Sequence, residues 1–209
     1  AILDPDLAAT QPRSVAIQTG LDALAHALES AVCTRRNPIS SLYSEGAFRN
    51  VSAAVENVIA GRITREDCGR MQLGAALAGL AIENSMLGAA HATANPLTAH
   101  HNVIHGHAVA LMLPHVMRFN AADAAVNEIY HRYSAILKES RVTSSSLIEW
   151  VSHVVAQSSI PGLNGSVSDL AALARDAAKQ WTGQFNPRPL QHNDYVALYR
   201  SALKPDAVS

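Results

Sequence analysis

The chain has 209 residues, 48% of them apolar and 16% charged, with a net charge of −1. That is enough apolar material for one sizeable core, and a near-neutral chain with no basic run argues against a nucleic-acid partner. No apolar stretch reaches the roughly 18 residues of a membrane span, and no signal peptide opens the sequence.

Prolines at 5 and 12 bracket a turn-like opening. From Ser14 the pattern turns helical, with Gly20 inside it and Asp22, His26 and Glu29 recurring on one side. Arg35-Arg36-Asn37-Pro38 stops that helix, because proline restricts the residue before it and suits a first helical turn. Over 38–60, Phe48, Val51, Val55, Val58 and Ile59 follow amphipathic helical spacing. Gly61-Arg62 reads as a turn, and Thr64 with Asp67 as a capping box. Residues 66–87 are small and apolar, the composition of a buried central helix with close neighbours. Asn95-Pro96 is expected to break or kink the chain, and Gly106 to lie at a helix start. Residues 121–138 carry a stripe of Val126, Ile129, Tyr130, Tyr133, Ile136 and Leu137, a core face. Two further helices are expected over 143–156 and 166–180, separated by a loop at 158–162. A proline-rich turn at 186–189 precedes a last helix from about Asp194 to Leu203. No alternating strand, phosphate loop or repeat occurs, so the fold class is all-α, one multi-helix domain over residues 1–209.

Residues 88–115 hold six of the ten histidines, at 91, 100, 101, 105, 107 and 115. That density suits a metal site or a proton relay better than an ordinary core. The carboxylate such a site needs is Asp22, which stands one helical turn from His26 on the same face. His91 and His105 are the third and fourth ligands, each beside small residues (Ala90, Ala92, Gly106) that let an ion and a substrate approach. One carboxylate and three imidazoles favour Fe2+, Zn2+ or Ni2+ over Ca2+ or Mg2+. His115, after Pro114, reads as a helix-start or packing residue, and His131, His153 and His192 as solvated. Cys33 and Cys68 form no CxxC, act as small apolar residues and fit a reducing, cytoplasmic setting.

TGLDALAHALES at 19–30, NPISSLYSEGAFR at 37–49, GAAHATANPLTAHHNVIHGHAVALMLPHVMRFN at 88–120 and QFNPRPLQHNDYVALYRSAL at 184–203 resemble, in order, the iron-containing alcohol dehydrogenase family. The likeness is to its helical, metal-binding C-terminal half, a dehydroquinate synthase-like helical domain, and it places the ligands at Asp22, His26, His91 and His105. It implies metal-assisted hydride transfer between a small alcohol or aldehyde and NAD or NADP, and a homo-oligomer such as a dimer. The family's N-terminal nucleotide-binding half is not among these residues, and a chain that opens at Ala1 without methionine reads as a domain of a longer protein. The family commonly carries a second histidine four residues after the third ligand, near substrate and nicotinamide. Here Asn95 stands there, without a proton to relay near neutral pH. By proximity in sequence, His100, His101 or His107 could take over, and His101 is the expected catalytic partner of Asn95. The alternatives are a maleylacetate reductase-like domain, which usually shows a double-histidine pattern and no tightly held metal, and a helical metal-binding module without redox activity.

Overall fold

The computed structural model describes residues 1–139, 146–159 and 169–203, and among them every regular element is helical. The prolines of the opening enclose a one-turn helix, α1 (Pro5–Ala8), capped by the Asp4 side chain. α2 (Arg13–Val32) follows Pro12, and its buried Leu21, Leu24 and Leu28 alternate with alanines that let neighbouring helices approach from several sides. α3 (Pro38–Ala60) starts at a capping box made by Asn37 and Ser40 and ends at Gly61, whose φ of 71° is the left-handed conformation glycine adopts cheaply. The Arg13 guanidinium donates to the Ile59 carbonyl, tying the start of α2 to the end of α3.

α4 (Arg65–Glu83) begins at the expected Thr64–Asp67 capping box. It is not the buried central helix its composition suggested. Its small residues form one stripe, with Gly74, Ala78 and Ala81 buried, while Leu73 and Leu80 stay 42% and 45% exposed. A side chain at Gly74 would lie 2.6 Å from a Val51 methyl and one at Gly69 3.3 Å from Pro5, so the low bulk serves close contacts of α4 with α3 and α1. The central helix is α2, which packs on α3, α4 and α6 (His105–Asn120).

α5 (Ala89–His101) continues through Asn95-Pro96, where a break or kink was expected, so the chain does not break there. Proline removes one helical bond from the turn before it. The carbonyl it leaves unserved is that of Ala92, and to the next one along, the buried Thr93 carbonyl, the Tyr199 hydroxyl donates at 2.7 Å. α6 likewise continues through Pro114, and His115 is a half-buried residue of the helix interior, not a helix start.

α7 (Ala124–Glu139) buries all six residues of its expected stripe, and Phe48 packs between Tyr133 and Trp150, ring centroids 4.8 and 5.8 Å away. α8 (Leu147–Gln157) is capped by Ser146, and α9 (Leu170–Ala177) by Asp169. The expected starts at 143 and 166, and loop residues 160–162, lie outside the described residues. A short 3-10 helix (Trp181–Phe185), which no sequence pattern announced, leads through the expected proline turn into α10 (His192–Ala202). His131, His153 and His192 are exposed and both cysteines are buried, as expected. No described helix is long and apolar enough to cross a membrane.

Candidate metal centre

Three helices bring the four expected ligands to one point. Asp22 and His26, one turn apart on α2, share a face turned towards α5 and α6. There Asp22 Oδ1 lies 3.6 Å from His26 Nε2, 3.3 Å from His91 Nε2 and 3.7 Å from His105 Nε2. His26 Nε2 and His91 Nε2 are 3.1 Å apart. His91 is buried in α5, whereas His105, the first residue of α6, is the most exposed of the four at 42% of its side chain. His105 reaches Asp22 because Gly106 lets α6 press on the backbone of α2: a side chain at 106 would stand 2.3 Å from the Gln18 carbonyl oxygen.

This arrangement makes poor sense as a closed hydrogen-bond network. Asp22 Oδ1 is buried and, despite three imidazole nitrogens within 3.7 Å, accepts no hydrogen bond. Buried carboxylate oxygens rarely go unpaired, because the desolvation cost is then uncompensated. Donors about 2.1 Å from one tetrahedral centre stand roughly 3.4 Å apart. Asp22, His26 and His91 offer ligand atoms within 4.8 Å of one another, with His105 3.7 Å from Asp22 on the open side. A divalent cation therefore fits the three, would draw in His105 as the fourth, and would satisfy the orphaned oxygen.

The charges respond to one another. Burial by itself would raise the Asp22 carboxyl, but His91, His26 and His105 together hold it below its usual value. Burial pushes His26 down, against the pull of Asp22. His91 is buried too, yet Glu29 and Asp22 outweigh that and raise it to about 9.

One participant was not assigned a role from sequence. Glu29 is buried at 4% exposure, and its Oε2 accepts from His91 Nδ1 at 2.5 Å while Oε1 accepts from the Ala90 amide at 2.7 Å. The signal was present, since positions 22, 26 and 29 share one face of α2. Asn186 Oδ1 accepts from the Ala89 amide at 3.2 Å, and a reciprocal amide pair with Asn120 holds it. Gly88 makes room for both caps: a side chain there would sit 3.0 Å from Glu29 Oε1 and from Asn186 Oδ1.

The other expected residues lie further out. Asn95 is one turn beyond His91, half-buried, and donates to Gln180 Oε1 at 2.9 Å. His101 ends α5 and is exposed; at 1.5 Å per residue it is roughly 15 Å along the axis from His91. His100 pairs with Asp176 on the surface at 2.9 Å, and His107 is buried in α6. The structure thus unites Asp22, His26, His91 and His105, and leaves His101 outside.

Residues 16–203 match the model of the Fe-containing alcohol dehydrogenase family, C-terminal part. The chain belongs to the iron-containing alcohol dehydrogenase family. Among curated relatives of this family member, long-chain-alcohol dehydrogenase 1 of Geobacillus thermodenitrificans is 31% identical over 97% of this chain and 54% of its own length. Lactaldehyde reductase of Escherichia coli K12 is 31% identical with the same coverages. The fold matches a 1,3-propanediol oxidoreductase crystal structure (TM-score 0.85, 28% identity, 95% of this chain and 54% of that one). It also matches the iron-containing alcohol dehydrogenase of Thermococcus thioreducens (TM-score 0.83, 27% identity, 97% and 54%). The chain therefore spans about half the length of the relatives it matches, and what is aligned is the all-helical part of the iron-containing dehydrogenases.

Proposed function

We propose that this domain is the metal-holding catalytic half of an alcohol dehydrogenase, with one divalent cation held by Asp22, His26, His91 and His105. Fe2+ is the first candidate, given the family, with Zn2+ and Ni2+ also suited to the donor set. The observation that carries the reading is the buried Asp22 Oδ1, without a hydrogen bond and ringed by three imidazole nitrogens. The relatives are named for long-chain alcohols, lactaldehyde and 1,3-propanediol, so alcohols and aldehydes are the substrate class of this reading, without a set chain length. NAD or NADP, the hydride carrier in this reading, is held by a part of such a protein that these residues do not include.

A cation bound there supplies Lewis-acid polarisation of an alcohol or carbonyl oxygen. The chain's own residues do the rest. His105 is the most exposed of the four ligands and His91 is buried, so a substrate oxygen would reach the site past His105. Asn95, one turn beyond His91, offers an amide oxygen not committed to Gln180 and orients the substrate without exchanging a proton. His101 is too far along α5, roughly 15 Å from His91, for a direct hand-off from the site.

Elemental analysis of the purified 209-residue chain tests the reading, beside His91→Ala. About one Fe, Zn or Ni per chain is expected, lost in the variant. No metal in either, after anaerobic reconstitution with each ion, would overturn the ligand assignment.

A further inference from the structure

The Glu29 carboxylate faces two donors at once. Its Oε1 takes the Ala90 amide at the first turn of α5, and its Oε2 takes Nδ1 of His91, the next residue. Both bonds are buried, with Glu29 and His91 side chains 5% and 4% exposed. The direction of the second bond matters, because a ring nitrogen that donates a hydrogen cannot also coordinate, and the two nitrogens of one imidazole are chemically linked. With Nδ1–H pointed at Glu29, Nε2 is left to face Asp22 Oδ1 and His26 Nε2.

We propose that Glu29 is the positioning residue that fixes His91 in its metal-competent tautomer, Nδ1–H with the Nε2 lone pair aimed into the site. This rests on the metal reading above for its purpose, but not for its geometry. Carboxylate is the one group of this size that can do both jobs. A glutamine has a single acceptor oxygen. Turned towards Ala90, it presents its NH2 to His91 Nδ1 and drives the hydrogen onto Nε2, the ligating atom. Turned towards His91, it presents NH2 to the Ala90 amide, donor against donor, at the first turn of α5. Asn186 shares the helix-capping duty, through Ala89, but makes no bond to the ring, so it separates the two roles.

The test uses the 15N-histidine-labelled chain with Zn2+ as a diamagnetic probe. The zinc-loaded parent is expected to show His91 bonded through Nε2, with an exchange-protected Nδ1–H. Glu29→Gln should weaken zinc binding about 10- to 100-fold, the usual effect of removing such a partner, and abolish that protected signal. Asn186→Ala should lower the melting temperature while keeping the signal and zinc affinity within about threefold. Coordination through Nδ1, or a Glu29→Gln chain that binds zinc as tightly as the parent, overturns the proposal. The parent alone decides the matter should the variant not fold. A parent that binds no zinc refutes the metal site instead, and the tautomer is then read in the metal-free chain at about pH 10.5, where imidazoles are neutral. There an Nδ1–H ring supports the role of Glu29, and an Nε2–H ring rules it out.

Discussion

Replacing Gly106 by alanine adds one methyl group at the place where α6 meets α2. Its Cβ would stand 2.3 Å from the Gln18 carbonyl oxygen and 2.9 Å from the carbonyl carbon, where ordinary contact begins near 3.4 Å. The obstacle is backbone, so no rotamer change relieves it, and α6 has to withdraw by about 1 Å. Overpacking of this kind costs roughly 1–3 kcal/mol. His105 is the residue before Gly106 and moves with it, while metal–ligand distances tolerate only about 0.2 Å. Gly106→Ala should therefore lower stability in urea and weaken zinc binding at least tenfold, about 1.4 kcal/mol. The matched control is Gly79→Ala on α4, where an added Cβ meets nothing within 4 Å and should stabilise the helix by about 0.5–1 kcal/mol. The assays are urea unfolding of the metal-free chain and zinc titration against a chromophoric chelator. If Gly106→Ala unfolds at the parent's midpoint and binds zinc equally well, α6 does not rest on α2 as described.

Two further expectations concern charge and backbone. His91 titrates near 9 in the folded metal-free chain against about 6.5 unfolded, so its protonated form contributes stability that is complete below about pH 6.5 and lost as pH rises through 9. The effect is about 3 kcal/mol, read as a falling urea midpoint between pH 6.5 and 9.5 that is absent in His91→Ala. Zinc binding runs the other way, since that proton must leave, and its affinity should fall about tenfold per pH unit from 8 to 6; a flat profile would contradict the pairing of His91 with Glu29. Tyr199→Phe leaves the buried Thr93 carbonyl without its hydroxyl donor and should cost about 1–3 kcal/mol by thermal or urea unfolding, with zinc affinity little changed. An unaltered midpoint would mean that the hydroxyl does not serve the proline-containing turn.

Much of this was legible because it is local. Pro38 opens a helix in its first turn and Thr64–Asp67 caps the next as written, and the α7 stripe buries each residue it named. The i, i+4 spacing of Asp22 and His26 put them on one face without any tertiary knowledge. What stayed hidden depends on partners distant in sequence. The Pro96 turn of α5 receives the hydroxyl of Tyr199. The α4 composition showed that something approaches closely, but not that one side of the helix, with Leu73 and Leu80, stays exposed. Glu29 sat in view on the right face of α2, yet its two bonds go to residues on α5, and no local pattern marks a carboxylate for that task. His101 was singled out by nearness along the chain, which in a helix is axial distance and not contact.

The first amide of α5 is capped by Asn186, 97 residues downstream. The helix that carries His91 is therefore finished by a part of the chain made long after it. During synthesis, α2, α3 and α4 can pack as they emerge, whereas the start of α5 reaches its full set of partners only when the C-terminal segment docks. A nascent chain that ends before residue 186 would carry all four ligand residues while the start of α5 still lacks this cap.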